Sequence, residues 1–459
     1  EQRAAFVNDR RPLLRIEPDE EPFRVARPAP SGMPPAGVGR GIPAALLGPQ
    51  RQSRLIDIVL APGRRGAGPD IRERWRVRVR TCGHARLGLP ETGEAQLIKK
   101  GAHVGVHLMR LVGHPEPPRT RRRLGAMTDA RALRVTQHGG PEVLAVQTVD
   151  VPEPGPGQVR VRVEAAGINF IDVYQRQGVY PGPTPFTPGM EGAGIVESVG
   201  ADVDLLVGSR VAWAMARGAA AELAVLPAAS AVPVPNDITA EQAAAAMLQG
   251  MTAHYLTTST YAVQPGDFVL VHAAAGGVGQ WLVQVCSLAG ATVIATAGSE
   301  AKLAIARELG AAYTLDYTAY ATPAELAAAV REATGGVGVA VAYDGVGKAT
   351  FDASLGSLRP RGMLALFGGA SGQVPPFDLQ RLNAAGSVFV TRPTLAHYVA
   401  DRHELLWRAG EVFQTLASGR VRMDIGGVYA LEDAAAAYEA LEGRATTGVD
   451  PWELLKGFT

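Results

Sequence analysis

The sequence predicts an α/β protein in which a β-rich domain and a doubly wound parallel-sheet domain follow an N-terminal extension. Residues 158–164 alternate apolar and polar side chains, which is typical of a half-buried strand. Beyond residue 251, short apolar segments alternate with stretches long enough for helices, which indicates parallel βαβ units. Residues 1–126 hold 15 prolines and 22 arginines with little periodic patterning, so we expect a disordered or non-native extension. Within it, residues 54–60 and 75–80 could form isolated strands, which are marginal without partners.

Charge separates the extension from the rest of the chain. Residues 1–126 contain 24 Lys+Arg against 12 Asp+Glu, whereas the remainder contains 21 against 32. Such asymmetry indicates a tail or a separate module. It could be a basic arm for nucleic acid around Arg119 and residues 121–123, or it could be a segment without native structure. Interleaved acids and scarce aromatic residues favour the second interpretation, and Met127 opens the first well-patterned strand.

Apolar segments predict the elements of the parallel sheet one after another. A strand at 267–272 precedes a helix from Gly279 to about Ala289, and a second strand follows at 292–296. A helix that ends near Leu309 leads to a third strand. The remaining predicted strands lie at 313–315, 339–344 and 363–368.

The cysteine count and the hydropathy pattern indicate where in the cell the protein is located. The two cysteines, Cys82 and Cys286, exclude a disulfide framework and a four-cysteine zinc site. No run of about 18 apolar residues occurs. The N-terminal residues show no apolar signal region. We therefore expect a protein of the reducing cytoplasm that does not insert into a membrane.

A glycine-rich turn at 272–279 is the strongest candidate for a ligand site. It follows a predicted strand and opens a helix, which is the context that a dinucleotide fingerprint requires. Gly276 and Gly277 would let the backbone approach a pyrophosphate, and Gly279 would let the helix pack closely on the strand. The helix N-terminus would supply amide donors. The turn departs from the usual motif at Ala274, where the first glycine normally stands.

The end of the second strand indicates which dinucleotide binds. An NAD site carries an acid about 20 residues after the loop, to bind the ribose 2′-hydroxyl. Here Gly298 and Ser299 leave space and a hydroxyl, and Lys302 offers a cation one helical turn along. Glu300 is expected to serve as a helix-dipole partner. This arrangement suits a 2′-phosphate and predicts NADPH.

Several ordered stretches resemble one known family. They include residues 167–174, 188–194, 343–347 and 389–393. On these stretches the chain resembles the zinc-free quinone oxidoreductases (NADPH:quinone reductase, zeta-crystallin-like) of the medium-chain dehydrogenase/reductase superfamily, from about Ala132 to Gly448. The resemblance implies a GroES-like catalytic domain over 127–251 and 391–459, a Rossmann NADPH-binding domain over 252–390, and a homodimer.

The resemblance also assigns site residues by position. Asn169, Asp172, Tyr174 and Tyr180 match the active-site loop of the family. With the loop glycines added, the cofactor-binding set is Phe170, Ile171, Tyr255, Gly276, Gly277, Val278, Gly279, Gly298, Ser299, Lys302, Tyr317, Val346, Gly368, Gly369, Ser371, Phe389, Val390, Thr391 and Arg444. Gly369-Ala370 replaces a more polar pair, and residues 449–453 replace the usual apolar terminal strand, which puts the pairing of that strand in doubt.

Zinc-dependent relatives carry a cysteine where this chain has Asn169 and a histidine where it has Met190. Neither replacement is a good zinc ligand, so we expect no metal and a hydrogen-bond donor in its place. Tyr174 is the first candidate donor to the substrate oxygen during hydride transfer and Tyr180 the second, with Asn169 positioning and Asp172 orienting its neighbours. A single-electron route to quinones would need no such donor. His272 is expected to be packed or solvated and not catalytic, and Cys286 is expected to lie in the core. The loosely spaced His103, His107 and His114 are not expected to bind a metal.

Two other functions remain open. The same hydride chemistry could reduce enones, enals or enoyl thioesters, and pocket shape would distinguish these substrates from quinones. A protein of another class, a non-catalytic NADPH- and RNA-binding protein, also fits the resemblance. A salt-dependent RNA-binding test would reveal any contribution of the basic extension.

Overall fold

The computed structural model describes residues 127–443 apart from 424 and 426, together with the backbone of five strands outside that range. The chain divides into two compact units, 1–120 and 121–459. In the first unit, strands β1 (Ile56–Pro62), β2 (Arg74–Thr81), β3 (Thr92–Lys100) and β4 (His103–Leu108) form an antiparallel sheet in chain order. The two expected strand segments thus pair with each other as β1 and β2 instead of standing isolated. The expected disorder concerns residues outside the described part of the extension.

The second unit contains two sheets and a hairpin. Its strands are β5 (Thr128–Val135), β6 (Leu144–Val151), β7 (Gln158–Gly167), β8 (Glu191–Val199), β9 (Arg210–Ala214), β10 (Leu223–Pro227), β11 (Val232–Pro233), β12 (Phe268–Val271), β13 (Thr292–Ala297), β14 (Tyr313–Asp316), β15 (Val339–Asp344), β16 (Leu358–Leu366), β17 (Phe389–Thr391), β18 (Gly427–Ala430) and β19 (Glu453–Lys456). Its helices are α1 (Phe170–Arg176), α2 (Ala240–Tyr255), α3 (Gly277–Leu288), α4 (Glu300–Glu308), α5 (Pro323–Ala333), α6 (Phe351–Ser357), α7 (Gln380–Ala384), α8 (Leu395–Tyr398), α9 (Arg402–Ala417) and α10 (Ala434–Gly443).

The parallel sheet has the strand order β14-β13-β12-β15-β16-β17. On one face, α3 buries Leu282 and Cys286 against Val269 and Val271 of β12. On the opposite face, Leu326 of α5 and Phe351 of α6 pack in a second cluster. That cluster contains Leu270 of β12, Ile294 of β13 and Ala342 of β15. Chain order reverses between β12 and β15, so a crevice for a ligand is expected beyond the carboxyl ends of these two strands. The predicted doubly wound α/β class is confirmed.

The antiparallel sheet has the order β11-β9-β8-β7-β19-β18, and β10 pairs with β7 outside that path. Its core includes the fully buried Trp213 and Val161. β19 runs parallel to β18 and antiparallel to β7. The doubt about the terminal strand was therefore wrong, because the strand forms at Glu453–Lys456, just beyond most of the atypical residues 449–453, and contains Leu454 and Leu455.

Helix α2 begins at a capping box in which Thr239 and Gln242 bond each other's backbone. The helix continues through Tyr255 into a π-helical turn at Leu256–Thr260. The domain boundary expected at residue 251 consequently falls inside a continuous helix. Within the described part of the chain, no helix has the length and apolar character needed to cross a membrane.

Candidate active site

The glycine-rich turn connects β12 to α3. Ala273 adopts a left-handed φ of 50°, and its carbonyl oxygen accepts a hydrogen bond from the Gly276 amide at 2.9 Å. A Cβ atom at Gly279 would lie 2.3 Å from that oxygen and 2.8 Å from Ala274 Cα, so only glycine fits there. No side chain caps the helix at Gly276, which leaves amide N–H groups at its N-terminus for an anion. The turn therefore fits a pyrophosphate.

The end of β13 forms a second subsite. Ser299 caps α4 and accepts a hydrogen bond from the Lys302 amide at 3.4 Å. Tyr317 packs so closely on Gly298 that a Cβ there would lie 2.5 Å from the tyrosine hydroxyl. Glu300, expected to interact with the helix dipole, forms a two-point ion pair with Arg307 at 2.7 and 3.1 Å. The strand end thus offers a lysine and two hydroxyls, and Glu300 beside them is held in an ion pair, which fits a 2′-phosphate.

Two loops approach each other at the ends of β15 and β16. Ser371 Oγ donates to the Val346 carbonyl oxygen at 2.8 Å, and buried Asp344 accepts from the Val346 amide at 2.8 Å. Gly368 packs directly on Gly345, because a Cβ at Gly368 would lie 2.3 Å from the Gly345 carbonyl oxygen. The hydrogen bonds fix the backbone at the switch point.

The other predicted cofactor residues differ in their accessibility. Phe389 of β17 is 57% exposed, whereas Val390 and Thr391 are half-buried. Tyr255 is buried, with its ring stacked on Tyr398 at 4.2 Å between centroids. Phe170, Ile171 and Val278 are half-buried. Arg444 lies outside the described residues. These cofactor contacts stay predictions.

Tyr174 joins helix α1, which follows the antiparallel strand β7, to the loop that follows strand β16 of the parallel sheet. The Gly369 amide donates to the Tyr174 hydroxyl oxygen at 3.2 Å. The ring of Tyr180 meets that of Tyr174 edge-on at 5.4 Å, and Phe170 lies 6.2 Å away on the other side. Burial raises the pKa of Tyr174, so its hydroxyl keeps its proton at neutral pH and can donate it. Tyr180 is 39% exposed and lies at the rim of this pair.

Asp172 lies beneath the loop and is fully buried. Its carboxylate accepts hydrogen bonds from the amides of Asn169 at 3.0 Å and Gly189 at 3.2 Å. Burial raises the pKa of Asp172 to about 7, although these bonds and one from Tyr438 oppose the shift. The carboxyl group thus links the start of α1 to the loop at Gly189, and the orienting role of Asp172 stays a prediction.

Two buried side chains that sequence reasoning missed hold Asn169. Its Nδ2 donates to Glu191 Oε1 at 2.7 Å, and its Oδ1 accepts from Gln249 Nε2 at 2.7 Å. The Leu248 amide donates to the second oxygen of Glu191 at 2.7 Å. Burial raises the pKa of Glu191 to about 8. The available signal was Gln249, the one polar side chain between Ala243 and Met251 of α2.

Arg392 is a further residue that the sequence analysis did not single out. It follows β17, and its charge lowers the pKa of Tyr174 and of Tyr255 in opposition to burial.

The structure packs His272 and Cys286, as expected. Burial lowers the pKa of His272, whose Nδ1 lies 2.8 Å from Thr296 Oγ1, and burial raises the pKa of the Cys286 thiol.

A dinucleotide crevice on a doubly wound sheet, joined through Tyr174 to an antiparallel β domain, defines the class of two-domain nicotinamide-dependent oxidoreductases. Comparison with known proteins is consistent with that class. Residues 277–402 match the family model of zinc-binding dehydrogenases, and residues 155–236 match the alcohol dehydrogenase GroES-like domain.

Individual relatives identify the family. A quinone oxidoreductase of Pseudomonas aeruginosa is 44% identical over 322 residues, which are 70% of this chain and 98% of the relative. A 2-haloacrylate reductase of a Burkholderia species is 42% identical over 69% of this chain and 97% of its own. The structure of Escherichia coli quinone oxidoreductase complexed with NADPH covers 72% of this chain and all of its own, with 39% identity and a TM-score of 0.69. The chain belongs to the quinone oxidoreductase family of the medium-chain dehydrogenase/reductase superfamily, as its sequence predicts.

The zinc named in the family model can be tested against the donor atoms present. Asn169 uses both ends of its amide on Glu191 and Gln249, and the Met190 sulfur accepts from Gln175 Nε2 at 3.3 Å. Amide and thioether groups are poor zinc ligands. Among the described residues, no group of three or more His, Cys, Asp or Glu side chains could hold a metal ion. These residues do not fit a catalytic zinc.

Proposed function

We propose that the protein is a zinc-independent oxidoreductase that transfers reducing equivalents from NADPH to a quinone. The observation that carries this proposal is the hydrogen bond from the Gly369 amide to the Tyr174 hydroxyl, because it holds a protonated donor at the mouth of the dinucleotide crevice. Accepting a hydrogen bond leaves the phenol's own proton available and makes it a better donor. The names of the relatives from Pseudomonas and Escherichia support the quinone as substrate.

NADPH is the proposed cofactor. The α3 N-terminus would bind its pyrophosphate, while Lys302, Ser299 and Tyr317 would bind its 2′-phosphate. The Escherichia coli relative was solved with NADPH bound, which supports this assignment. When bound, NADPH supplies a hydride to a carbon conjugated with a carbonyl group.

The chain's own residues would meet the negative charge that grows on the carbonyl oxygen of the substrate. Tyr174 would donate its hydroxyl proton toward that oxygen, with Tyr180 as the second donor. Asn169 would position the substrate, and Asp172 would hold the loop that carries Asn169 and contacts Gly189. A donor of this kind takes the place of a zinc ion, for which the residues at 169 and 190 are unsuited.

Domain limits, assembly and location are also proposals. The catalytic domain would comprise residues 127–251 and 391–459, with the cofactor domain between them. A homodimer is implied by the family, and the short strand β17, which ends the parallel sheet in the described part of the chain and carries the exposed Phe389, offers a sheet edge for it. The cytoplasm remains the expected location.

A second candidate is a reductase of activated alkenes. The 42% identity to a 2-haloacrylate reductase favours it, because the same hydride chemistry acts on a carbon–carbon double bond conjugated with a carbonyl. Substrate preference, measured with the same cofactor on both substrate classes, separates the two functions.

The experiment is steady-state oxidation of NADPH and of NADH by the full chain, with a quinone panel and an enone panel and no added zinc. We expect NADPH-selective turnover of quinones. The variant with Tyr174→Phe and Tyr180→Phe should lose most of this turnover while binding NADPH normally. Unchanged turnover would contradict the donor role and favour a single-electron route. Tight NADPH binding without turnover on either panel would instead favour a non-catalytic role.

A further inference from the structure

Asn169 is held at both ends of its side-chain amide by partners of opposite character. Glu191 accepts from Nδ2 with one oxygen and from the Leu248 amide with the other, and the Nε2 group of Gln249 can only donate to Oδ1. Both bonds measure 2.7 Å. The two partners therefore select one of the two amide orientations that differ by a flip, with Nδ2 on the side of Glu191.

The arrangement is costly for a purely structural contact. Glu191 is fully buried, and the side chains of Asn169 and Gln249 are each 7% exposed. The buried Oε1 of Gln249 makes no hydrogen bond within the described part of the chain, so this glutamine contributes only its donor end. Apolar residues of similar size would fill the same space without burying an acid and an unpaired carbonyl.

One hydrogen on Asn169 Nδ2 is not used by these bonds, because the amide nitrogen carries two and Glu191 takes one. Asn169 also begins helix α1, which carries Tyr174. A flip of the Asn169 amide would exchange this remaining donor for a carbonyl oxygen, which repels a substrate oxygen that is gaining negative charge.

We propose that Glu191 and Gln249 are positioning residues for the reaction, which fix the Asn169 amide with its Nδ2 hydrogen available as a donor to the substrate. This inference rests on the proposed function and adds two residues to it. Glu191 acts through its bond to Nδ2, and Gln249 acts through its bond to Oδ1. Neither residue needs to touch the substrate.

The test exchanges the two partners. In the double variant Glu191→Gln with Gln249→Glu, the new glutamine can donate to Asn169 Oδ1 while accepting from the Leu248 amide, and the new glutamate can accept from Nδ2. The same number of bonds then holds Asn169 in the flipped orientation. The measurements comprise kcat, the NADPH dissociation constant and the melting temperature. They are made from about pH 7 to about pH 10, so that the wild type and the double variant are compared on the plateau where the buried carboxyl of each has lost its proton.

We expect Gln249→Glu alone to lower the melting temperature, because it sets two acceptors against one amide, and the double variant to recover it. We expect the double variant to bind NADPH within about twofold of the wild type, yet to reduce quinone about 100-fold more slowly, as when an oriented donor is lost. Gln284→Glu is the matched control, since Gln284 is a buried glutamine that bonds the carbonyl oxygens of Gln280 and Arg422. It should keep the wild-type kcat.

Wild-type kcat in the double variant would overturn the proposal, as would an equal loss of kcat in Gln284→Glu. Failure of the double variant to recover stability would overturn the paired clamp itself, whatever the activity. Should the exchanged protein not fold, Gln249→Leu removes one end of the clamp, and an unchanged kcat in that variant would count against the proposal. A wild type without quinone turnover would refute the proposed function, while the stability comparison would still decide whether the clamp exists.

Discussion

Replacing Gly279 by alanine should destabilise the fold of the dinucleotide turn. Replacing Gly276 by alanine should weaken only the binding of NADPH to that turn. The methyl group at Gly279 would lie 2.3 Å from the Ala273 carbonyl oxygen and 2.8 Å from Ala274 Cα. Both neighbours are backbone atoms, so the turn or the start of α3 has to move by about 1 Å to reach ordinary contact distances. Overpacking of this kind costs about 1–3 kcal/mol. That energy corresponds to a shift of about 5- to 150-fold in the folding equilibrium.

Gly276→Ala is the matched control for this prediction. Its nearest contact would be the Ala273 carbonyl oxygen at 3.2 Å, and its φ of −82° suits any residue. The protein without cofactor should therefore melt as the wild type does, but the methyl group stands where the pyrophosphate must approach, so NADPH should bind more weakly. Thermal melts and titration of NADPH fluorescence measure both effects. Wild-type melting of Gly279→Ala, or wild-type NADPH affinity of Gly276→Ala, would refute the reasoning.

Three further predictions concern charges. Lys302→Ala should weaken NADPH binding about tenfold or more and leave NADH binding unchanged, and equal losses for both cofactors would contradict a 2′-phosphate site. The free energy of unfolding should fall as pH rises from about 4 to 7, because folded Asp172 and Glu191, with pKa values raised to about 7 and about 8, keep protons that the unfolded chain has lost. Asp172→Asn should reduce this slope in denaturant titrations and leave the part that Glu191 contributes. Arg408→Met should destabilise the protein by about 3 kcal/mol or more, because buried Arg408 bonds the Tyr398 carbonyl oxygen and His254. Arg402→Met, on the same helix, is the control and should melt nearly as the wild type does.

Local signals account for what the sequence could predict. β12, β13 and β15 are continuous apolar runs, and the glycine turn between β12 and α3 carries its own geometry, so the expected segments agree with the observed strands to within one or two residues. The resemblance then placed Tyr174 and Lys302 in the candidate site. Neither source of information depends on contacts between distant parts of the chain.

What could not be predicted comes from such distant contacts. The bond between Gly369 and Tyr174 spans 195 positions, and the bond between Gln249 and Asn169 spans 80. Composition and periodicity describe residues near each other in the sequence, so they predict neither of these two hydrogen bonds. The pairing of β19 with β7 was doubted for a similar reason, since it joins Leu454 and Leu455 to Gly167 and Ala166, which lie far away in the sequence.

The contact of Tyr317 with Gly298 has a consequence for how cofactor choice can evolve. An acid at the end of β13 would be the shortest genetic route to NADH preference, yet any side chain at position 298 collides with the ring of Tyr317. A carboxylate at this position would displace the ring, and Tyr317 is one of the residues proposed to bind the 2′-phosphate. Residues 298 and 317 are therefore coupled, and an exchange of cofactor at the proposed subsite would require changes at both positions.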